Sequence, residues 1–590
     1  MMSKVKDRTR DRLAVSIPLI IALILFSVGI DWGLPSRDVD SKLFGDRAPW
    51  TGAEILALLD SNQPSSTTRG ADVDATPILD RSKPIILNDT DAKRAEIVQR
   101  YRLMSGQPDE FIQFKALAEM AGRSGVDRFD PRLYQYGGLW IYPVGALLKV
   151  GSIVGLIELK SDRAFYLDHP EAFGRFYIVA RAYSAFWGLI AIWAIFQITK
   201  KITNNPWLSA VAASLLALTP VVMSSAQEAK PHLAGAALTL LAVLTAAKHV
   251  ETNKAKWSLL TCFLCACAAS MVLSAILSCA ILPLMVWLGR KNRPTQKPVW
   301  KDALRLFEMF VLVGIVFTIF NPFFIYNGLF RPELLKSNLG NSAAMYGISI
   351  RGIWRAIEIL GAAMTWPVMI GSIIASIILI FRRVGFSPPL NQQQPNGGLK
   401  PTLQILFVTA LATLVMFVAL ANEKPMEFAR FGIVLIPLAL AAVFAVLRLF
   451  PRTFQRVGVG FVILGVLTGA FSHLIGGLAY RIKSLHTIET LMPRLKQPTI
   501  GLWHEPAPWS SPPLDLFEST IVLLPQSKTV PCSLFIAPGN LSSPIDNKFT
   551  PQRISWMTNT WNSWPTDFVS DEPRLREPVY DENGMLKLFD

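Results

Sequence analysis

The sequence predicts an all-α polytopic membrane protein: about eleven transmembrane helices, a large extracytoplasmic first loop with juxtamembrane helices, and a small C-terminal extracytoplasmic α/β domain. Three observations predict it. Of the 590 residues, 51% are hydrophobic and only 17% are charged, where a soluble domain carries about a quarter charged. The apolar residues gather in runs of roughly 17–20, the length that crosses about 30 Å of hydrocarbon. Basic residues collect in alternate connections between those runs, as they do where they fix topology.

Residues 1–12 are polar and carry Lys4, Lys6, Arg8, Arg10 and Arg12, which keeps the amino end in the cytoplasm. Residues 13–30 form an apolar run with no small-residue cleavage site after it, so this is a retained first span and not a removed signal peptide. Residues 31–175 hold no run with the length and apolarity of a clear span. They open with a Pro, Ser and Thr-rich insertion around Asn62 to Thr68, followed by Asp72, Asp74, Asp80, Asp89 and Asp91. Helical stretches are expected at Ala92–Met104 and Asp109–Met120. Leu139–Ile157 is moderately apolar and reads either as a span or as an interfacial helix.

Charge bias separates those two readings. With Leu139–Ile157 at the interface, the remaining runs are Phe176–Thr199, Trp207–Met223, His232–Ala247, Trp257–Leu273, Ser274–Leu288, Leu304–Phe320, Ala362–Phe381, Leu403–Leu420, Phe431–Leu447 and Val457–Leu478. The basic connections Lys200-Lys201, Lys248 to Lys256, Arg290 to Lys301, Arg382-Arg383 with Lys400, and Arg448 to Arg456 then all face the cytoplasm. Residues 176–478 form the helical bundle. Residues 479–590 lie outside, with strand-like runs at Ile521 to Leu524 and Ser533 to Ile536 between Pro-rich turns.

The net charge of +15 is explained by these topology signals, and no basic-aromatic patch calls for a nucleic acid. Cys262, Cys265, Cys267 and Cys279 lie in apolar runs and read as small hydrophobes, and Cys532 stands alone in the tail. There is no P-loop, dinucleotide-binding glycine fingerprint, zinc-protease helix or nucleophile elbow.

Candidate chemistry collects on the outer face. Asp109-Glu110 follows Pro108 and opens a helix. The pair either stabilises that helix end or, beside a membrane, deprotonates an acceptor hydroxyl or holds a divalent metal such as Mg or Mn. Asp38 and Asp40, directly after the first span, are the rival acidic pair; otherwise they form a solvated turn. Glu228, Lys230 and His232 sit in a polar segment wedged between two runs, where they face a cavity or anchor the interface. Arg181 and Arg430 lie at outer ends of apolar runs. Such arginines snorkel to the surface or bind a phosphate with a two-pronged guanidinium. Tyr136 and Tyr142 belong to the aromatic run that comes after the acidic pair. The tail tryptophans Trp503, Trp509, Trp556, Trp561 and Trp564 either pack or stack on sugar rings.

The order of these pieces resembles the GT-C membrane glycosyltransferases, in particular the dolichyl-phosphate-mannose protein mannosyltransferase and aminoarabinose transferase group. The matching residues are Pro108-Asp109-Glu110, Tyr134 to Pro143, Arg181-Ala182-Tyr183-Ser184-Ala185, Leu218-Thr219-Pro220, and Phe428-Ala429-Arg430-Phe431 followed by Pro437. The resemblance covers roughly Leu13 to Leu478. It implies a helical bundle with its site at the outer membrane face, and transfer of a sugar from a polyprenyl-phosphate carrier to a protein, lipid or glycan acceptor. It also implies that Asp109 or Glu110 serves as base or metal ligand, and that Arg181 and Arg430 meet the carrier phosphate. The long stretch before Asp109 departs from many relatives and keeps Asp38 and Asp40 in contention. His232 stands where relatives often place an acid. A transporter or lipid-linked sugar flippase is the alternative from another class, and a membrane scaffold the third. The setting expected is a bacterial inner membrane.

Overall fold

The computed structural model describes residues 2–61, 85–291, 298–343, 346–347, 349–383, 401–421, 426–468, 470, 499–502, 505–511, 513–523, 534–538, 554–555 and 573–576. The tryptophans Trp503, Trp556, Trp561 and Trp564, and Cys532, lie outside the described residues.

Helix α1 (Met2–Ser27) buries Ala14, Ala22 and Phe26 and exposes Leu13, Ile17, Ile20, Leu23 and Ile24 on its other side. An apolar face left open suits lipid and not water. The first loop then folds as short helices: α2 (Asp40–Leu43), α3 (Gly52–Ser61), α4 (Asp91–Leu103), α5 (Pro108–Gly122), α6 (Gly138–Ile153) and α7 (Arg163–Asp168). The stretches expected at Ala92–Met104 and Asp109–Met120 are α4 and α5. Gly137 and Gly138 start α6 because nothing larger fits there. A Cβ would stand 1.9 Å from the Ser270 carbonyl oxygen at the first and 1.9 Å from that of Phe320 at the second.

The bundle continues as α8 (Pro170–Thr203), α9 (Pro206–Leu218), α10 (Pro220–Gln227), α11 (His232–Thr252), α12 (Ala255–Met271), a 3-10 segment Leu273–Ala280 that runs into α13 (Ile281–Lys291), and α14 (Val299–Phe320). After α14 come α15 (Pro322–Phe330) and α16 (Pro332–Ala343). The rest is α17 (Ile350–Met364), α18 (Trp366–Arg383), α19 (Pro401–Ala421), a 3-10 turn Met426–Gly432, α20 (Leu435–Leu447) and a helix over residues 452–468.

Among the described residues, five helices have the length and apolarity to cross a membrane, or seven if each of two bent pairs is one span. Eleven are not reached by that measure, because α12 and α20 are shorter and α1 carries charge through its first turns. Two runs expected to be single spans are broken. Leu218-Thr219-Pro220 does not close its run. Pro220 lacks the amide that would continue the hydrogen-bond ladder, so the helix bends by 62° and goes on as α10. Ala362–Phe381 is interrupted at Thr365, whose φ of 73° ends α17 before α18 leaves at 116°. Val457–Leu478 is helical through residue 468, and its remainder falls outside the described residues apart from residue 470.

The tail, expected to be a small α/β domain, contributes strands and no helix among its described residues. The sheet runs β1-β3-β2-β4-β6-β5, built from β1 (Ile85–Ile86), β2 (Thr499–Leu502), β3 (Thr520–Leu523), β4 (Leu534–Pro538), β5 (Ile554–Ser555) and β6 (Pro573–Arg576). Strands β2, β3 and β4 are parallel, and β1, from the first loop, closes the edge antiparallel to β3. Asn88 pins this joint: its amide donates to the carbonyls of Leu516 and Ser519, and its oxygen accepts from the Ile521 amide. Arg47 and Arg94 both lie against the Phe517 ring, and Arg100 pairs with Glu505. Loop and tail therefore share one sheet and one packed seam.

Candidate functional site

The first turn of α5 is fixed by its own residues. Gln107 is the extended N-cap and its side chain accepts from the Asp109 amide, while Pro108 takes the first helical position, where an amide is not needed. Successive residues on a helix point about 100° apart. Asp109 and Glu110 therefore diverge at once.

Glu110 turns inward and is fully buried, as is its partner Arg181. Its Oε1 accepts from Arg181 Nε at 2.8 Å and from the Ala229 amide at 2.7 Å. Its Oε2 accepts from Arg181 Nη2 at 2.7 Å and from Ser105 Oγ at 2.6 Å. Arg181 Nη1 donates to the carbonyls of Ile30 and Trp32. This one pair thus ties α5 to α8, to the end of the first span and to the connection after α10. Gln113, one turn on, extends the brace by donating to the Ala229 carbonyl and accepting from Trp140 Nε1.

Asp109 faces the other way and keeps 34% of its side chain exposed. Its Oδ2 accepts from Arg430 Nη2 at 2.8 Å and lies 3.1 Å from Lys230 Nζ. Lys230 also lies 3.3 Å from Glu228 Oε2. Burial opposes the charged form of Asp109, yet the Lys230 and Arg430 cations outweigh it and hold the carboxyl below the usual carboxylate range. For Glu228, in the connection between α10 and α11, burial prevails over Lys230 and Arg430, with Glu110 adding to it, and the carboxyl is pushed up to about 7.

Arg430 is presented by the 3-10 turn Met426–Gly432. In such a turn residues three apart eclipse one another, so Phe428 and Phe431 stack at 5.6 Å with 11° between their planes, and the Arg430 guanidinium lies against both rings. That is the local reason for the Phe-Ala-Arg-Phe pattern. The Phe431 ring meets His232, and His232 meets Tyr136 edge to face. Tyr136 is held by a bridge to Val272.

The structure therefore brings together Asp109, Glu228, Lys230, His232, Arg430 and Tyr136, with Glu110 and Arg181 directly behind them. The other candidates stand apart. Asp40 forms a two-pronged pair with buried Arg102, at 3.0 and 2.9 Å, and also meets Arg37. Arg102 in turn donates to the carbonyls of Trp50 and Leu167, so this pair staples the loop helices. Asp38 is exposed in the 3-10 turn Arg37–Val39. Tyr142 donates to the Phe129 carbonyl and lines a different cleft with Tyr134, Phe323 and Phe324. Trp509 is half-buried in a turn of the tail.

Asp109 and Glu110 do not fit a divalent cation. Both Glu110 oxygens are taken by donors, and the bonded Asp109 oxygen already faces two cations. Among the described residues no group of three His, Cys, Asp or Glu side chains gathers. Ser105, Gln113 and Arg102 were not anticipated. Gln113 alone had a signal, since it lies three residues after Glu110 on the same helix face.

An apolar helical bundle with an ion cluster at one end of its spans defines a polytopic membrane protein with a charged interfacial site. Residues 172–326 match the dolichyl-phosphate-mannose-protein mannosyltransferase family, a likeness that covers this segment of the chain. No curated protein sequence matches the chain. Among solved structures it is similar to ArnT from Cupriavidus metallidurans bound to undecaprenyl phosphate, at 17% identity over 66% of this chain and 64% of that one, with a TM-score of 0.40. It is also similar to the archaeal oligosaccharyltransferase AglB from Archaeoglobus fulgidus in complex with an inhibitory peptide and a dolichol-phosphate. There the identity is 11%, the coverage 86% of this chain and 65% of that one, and the TM-score 0.37. The chain thus spans less than two thirds of either relative, and superpositions this loose transfer no residue role to it.

Proposed function

We propose that the chain is a GT-C glycosyltransferase that moves a sugar from a polyprenyl-phosphate donor to an acceptor at the outer membrane face. The observation that carries this is the half-open cluster in which one Asp109 oxygen is shared by Lys230 and Arg430. A lipid-linked phosphate cannot leave the bilayer, so its enzyme must offer cations at the ends of spans. Lys230 and Arg430 are such cations, and arginine matches the phosphate fork.

The reaction is built from that geometry. A donor phosphate arriving at Lys230 and Arg430 draws their charge away from Asp109, whose carboxylate then becomes more basic. Asp109 takes the proton of the acceptor hydroxyl as its oxygen attacks the anomeric carbon. The bond from that carbon to the phosphate oxygen breaks, and the two cations stabilise the departing polyprenyl phosphate. The Glu110–Arg181 pair holds Asp109 in place and does not touch the reactants.

Counting α1, despite its charged first turns, and the shorter α12, α20 and the helix over residues 452–468 as spans brings the total to the eleven expected from the apolar runs. With that count, and with the basic connections on the inner side, we read the amino end as cytoplasmic and α5, with the tail, as outside a bacterial inner membrane. Purified protein in nanodiscs, given defined polyprenyl-phosphate sugars, should release polyprenyl phosphate, and Asp109→Asn should stop the release. No release from any such donor would overturn the reading. The transport alternative draws on the two bent helix pairs, since broken helices line transporter sites. Movement of an intact lipid-linked sugar across proteoliposomes, without cleavage, would favour it.

A further inference from the structure

Beside the ion cluster lies a small cleft between α11, the 3-10 segment Leu273–Ala280, α19 and the turn that carries Arg430. His232 and Ser278 both line it, and both are at least nine-tenths buried. Neither ring nitrogen of His232 nor the Ser278 hydroxyl has a hydrogen-bond partner among the described residues. Buried polar atoms without partners are rare and costly. Two side chains of this kind lining one cleft point to a polar group that enters the cleft and completes them. The wall that presents Ser278 is itself unusual, since eight consecutive residues in 3-10 geometry exceed the ordinary length of such a segment.

The cleft also says what it takes. Its volume of about 30 Å³ holds a group the size of one or two waters and excludes a whole ring. A neutral imidazole offers one donor and one acceptor, and a serine hydroxyl offers both, which suits a hydroxyl. Arg430 lines the same cleft, and Lys230 stands with it on Asp109, so a positively charged arm is repelled. Ala236, Val272, Leu277 and Met416 supply apolar wall for a methylene.

We propose that this cleft is a specificity subsite that receives one uncharged hydroxymethyl arm of the donor sugar, with His232 and Ser278 hydrogen-bonded to its hydroxyl. The inference rests on the glycosyl-transfer reading. In a polyprenyl-phosphate sugar the ring joins the phosphate at its anomeric carbon, so a phosphate on Arg430 sets the ring at the mouth of the cleft. The arm on the far side of the ring oxygen is then the group that enters. The site accordingly favours a donor with that arm over a pentosyl donor that lacks it, and over one with an amine in its place.

The test uses the full chain in nanodiscs and three synthetic donors: a polyprenyl-phosphate hexose, its 6-deoxy analogue and its 6-amino-6-deoxy analogue. Donor affinity and phosphate release are both measured. The 6-deoxy donor should bind about 10- to 100-fold more weakly, as for a buried polar pair left unsatisfied, and the 6-amino donor more weakly still. Ser278→Ala and His232→Phe should weaken the hexosyl donor by a similar factor and leave the 6-deoxy donor little changed, so that selectivity collapses. His232→Asn should restore part of it. Monodispersity and melting temperature check that each variant is folded, and the small Ser278→Ala change keeps the test open should His232→Phe fail. Equal affinity of the wild type for the hexosyl and 6-deoxy donors, or variants that weaken both alike, would overturn the subsite and leave the transfer reading standing. Failure of all three donors to bind would overturn that reading and the subsite with it.

Discussion

Asp109 and Glu110 are neighbours in the chain and opposites in the structure. Glu110 is fully buried, with every bond it makes returning to the protein: Arg181, Ser105 and the Ala229 amide. Asp109 keeps a third of its side chain exposed and shares one oxygen between two cations from distant elements. A carboxylate with all its bonds filled holds geometry, whereas one that keeps an open side can meet a reactant and exchange a proton. On the proposed glycosyl-transfer reading, that difference separates scaffold from chemistry within a single helical turn.

The comparison breaks most readily at the closed end. Glu110→Gln would leave the Arg181 charge buried and unpaired, a loss of about 3–5 kcal/mol, and should appear as a large fall in melting temperature. Asp40→Asn removes the carboxylate from buried Arg102 by the same mechanism. It should destabilise the loop comparably, and a wild-type melting temperature would show that this pair is no staple. At the open end, Asp109→Asn should lower transfer by about 10²- to 10⁴-fold with little change in melting. Arg430→Ala should weaken donor binding more than Arg430→Lys, and equal effects would remove the two-pronged phosphate contact. Asn88→Ala tests whether loop and tail fold together. It strips three hydrogen bonds at the β1–β3 joint and should cost about 1–3 kcal/mol, read as earlier proteolysis of the tail.

The smallest effect is a pH dependence. Glu228 binds its proton more tightly in the folded chain, with its pKa raised from 4.5 to about 7. Its contribution is therefore present below the unfolded value and lost as pH rises through about 7. Melting temperature should fall modestly between about pH 5 and pH 8, and Glu228→Gln should flatten that slope.

Much of this was legible in the sequence. The apolar runs located the helices because length and hydrophobicity suffice for that. Pro108 before two acids marked the start of α5, and Arg430 was legible at the outer end of an apolar run, though the 3-10 turn that carries it was not. Breaks inside apolar runs were not legible: Thr365 bears no signal of a positive φ, and Pro220 alone does not distinguish an end from a bend. Partner choice was not legible either. Nothing in the sequence tells that Arg181 is committed to Glu110, or that Asp40 closes on Arg102, since those contacts span 71 and 62 residues. The joining of β1 to the tail failed for the same reason, because two residues of strand form no pattern.

The central claim is the division of labour between the two adjacent carboxylates. It is tested most directly by preparing Asp109→Asn and Glu110→Gln side by side in nanodiscs and measuring, on the same samples, melting temperature and polyprenyl-phosphate release. The account predicts that Asp109→Asn melts with the wild type and releases almost nothing, while Glu110→Gln melts far below it. An active Asp109→Asn, or a Glu110→Gln variant as stable as the wild type yet inactive, would contradict it.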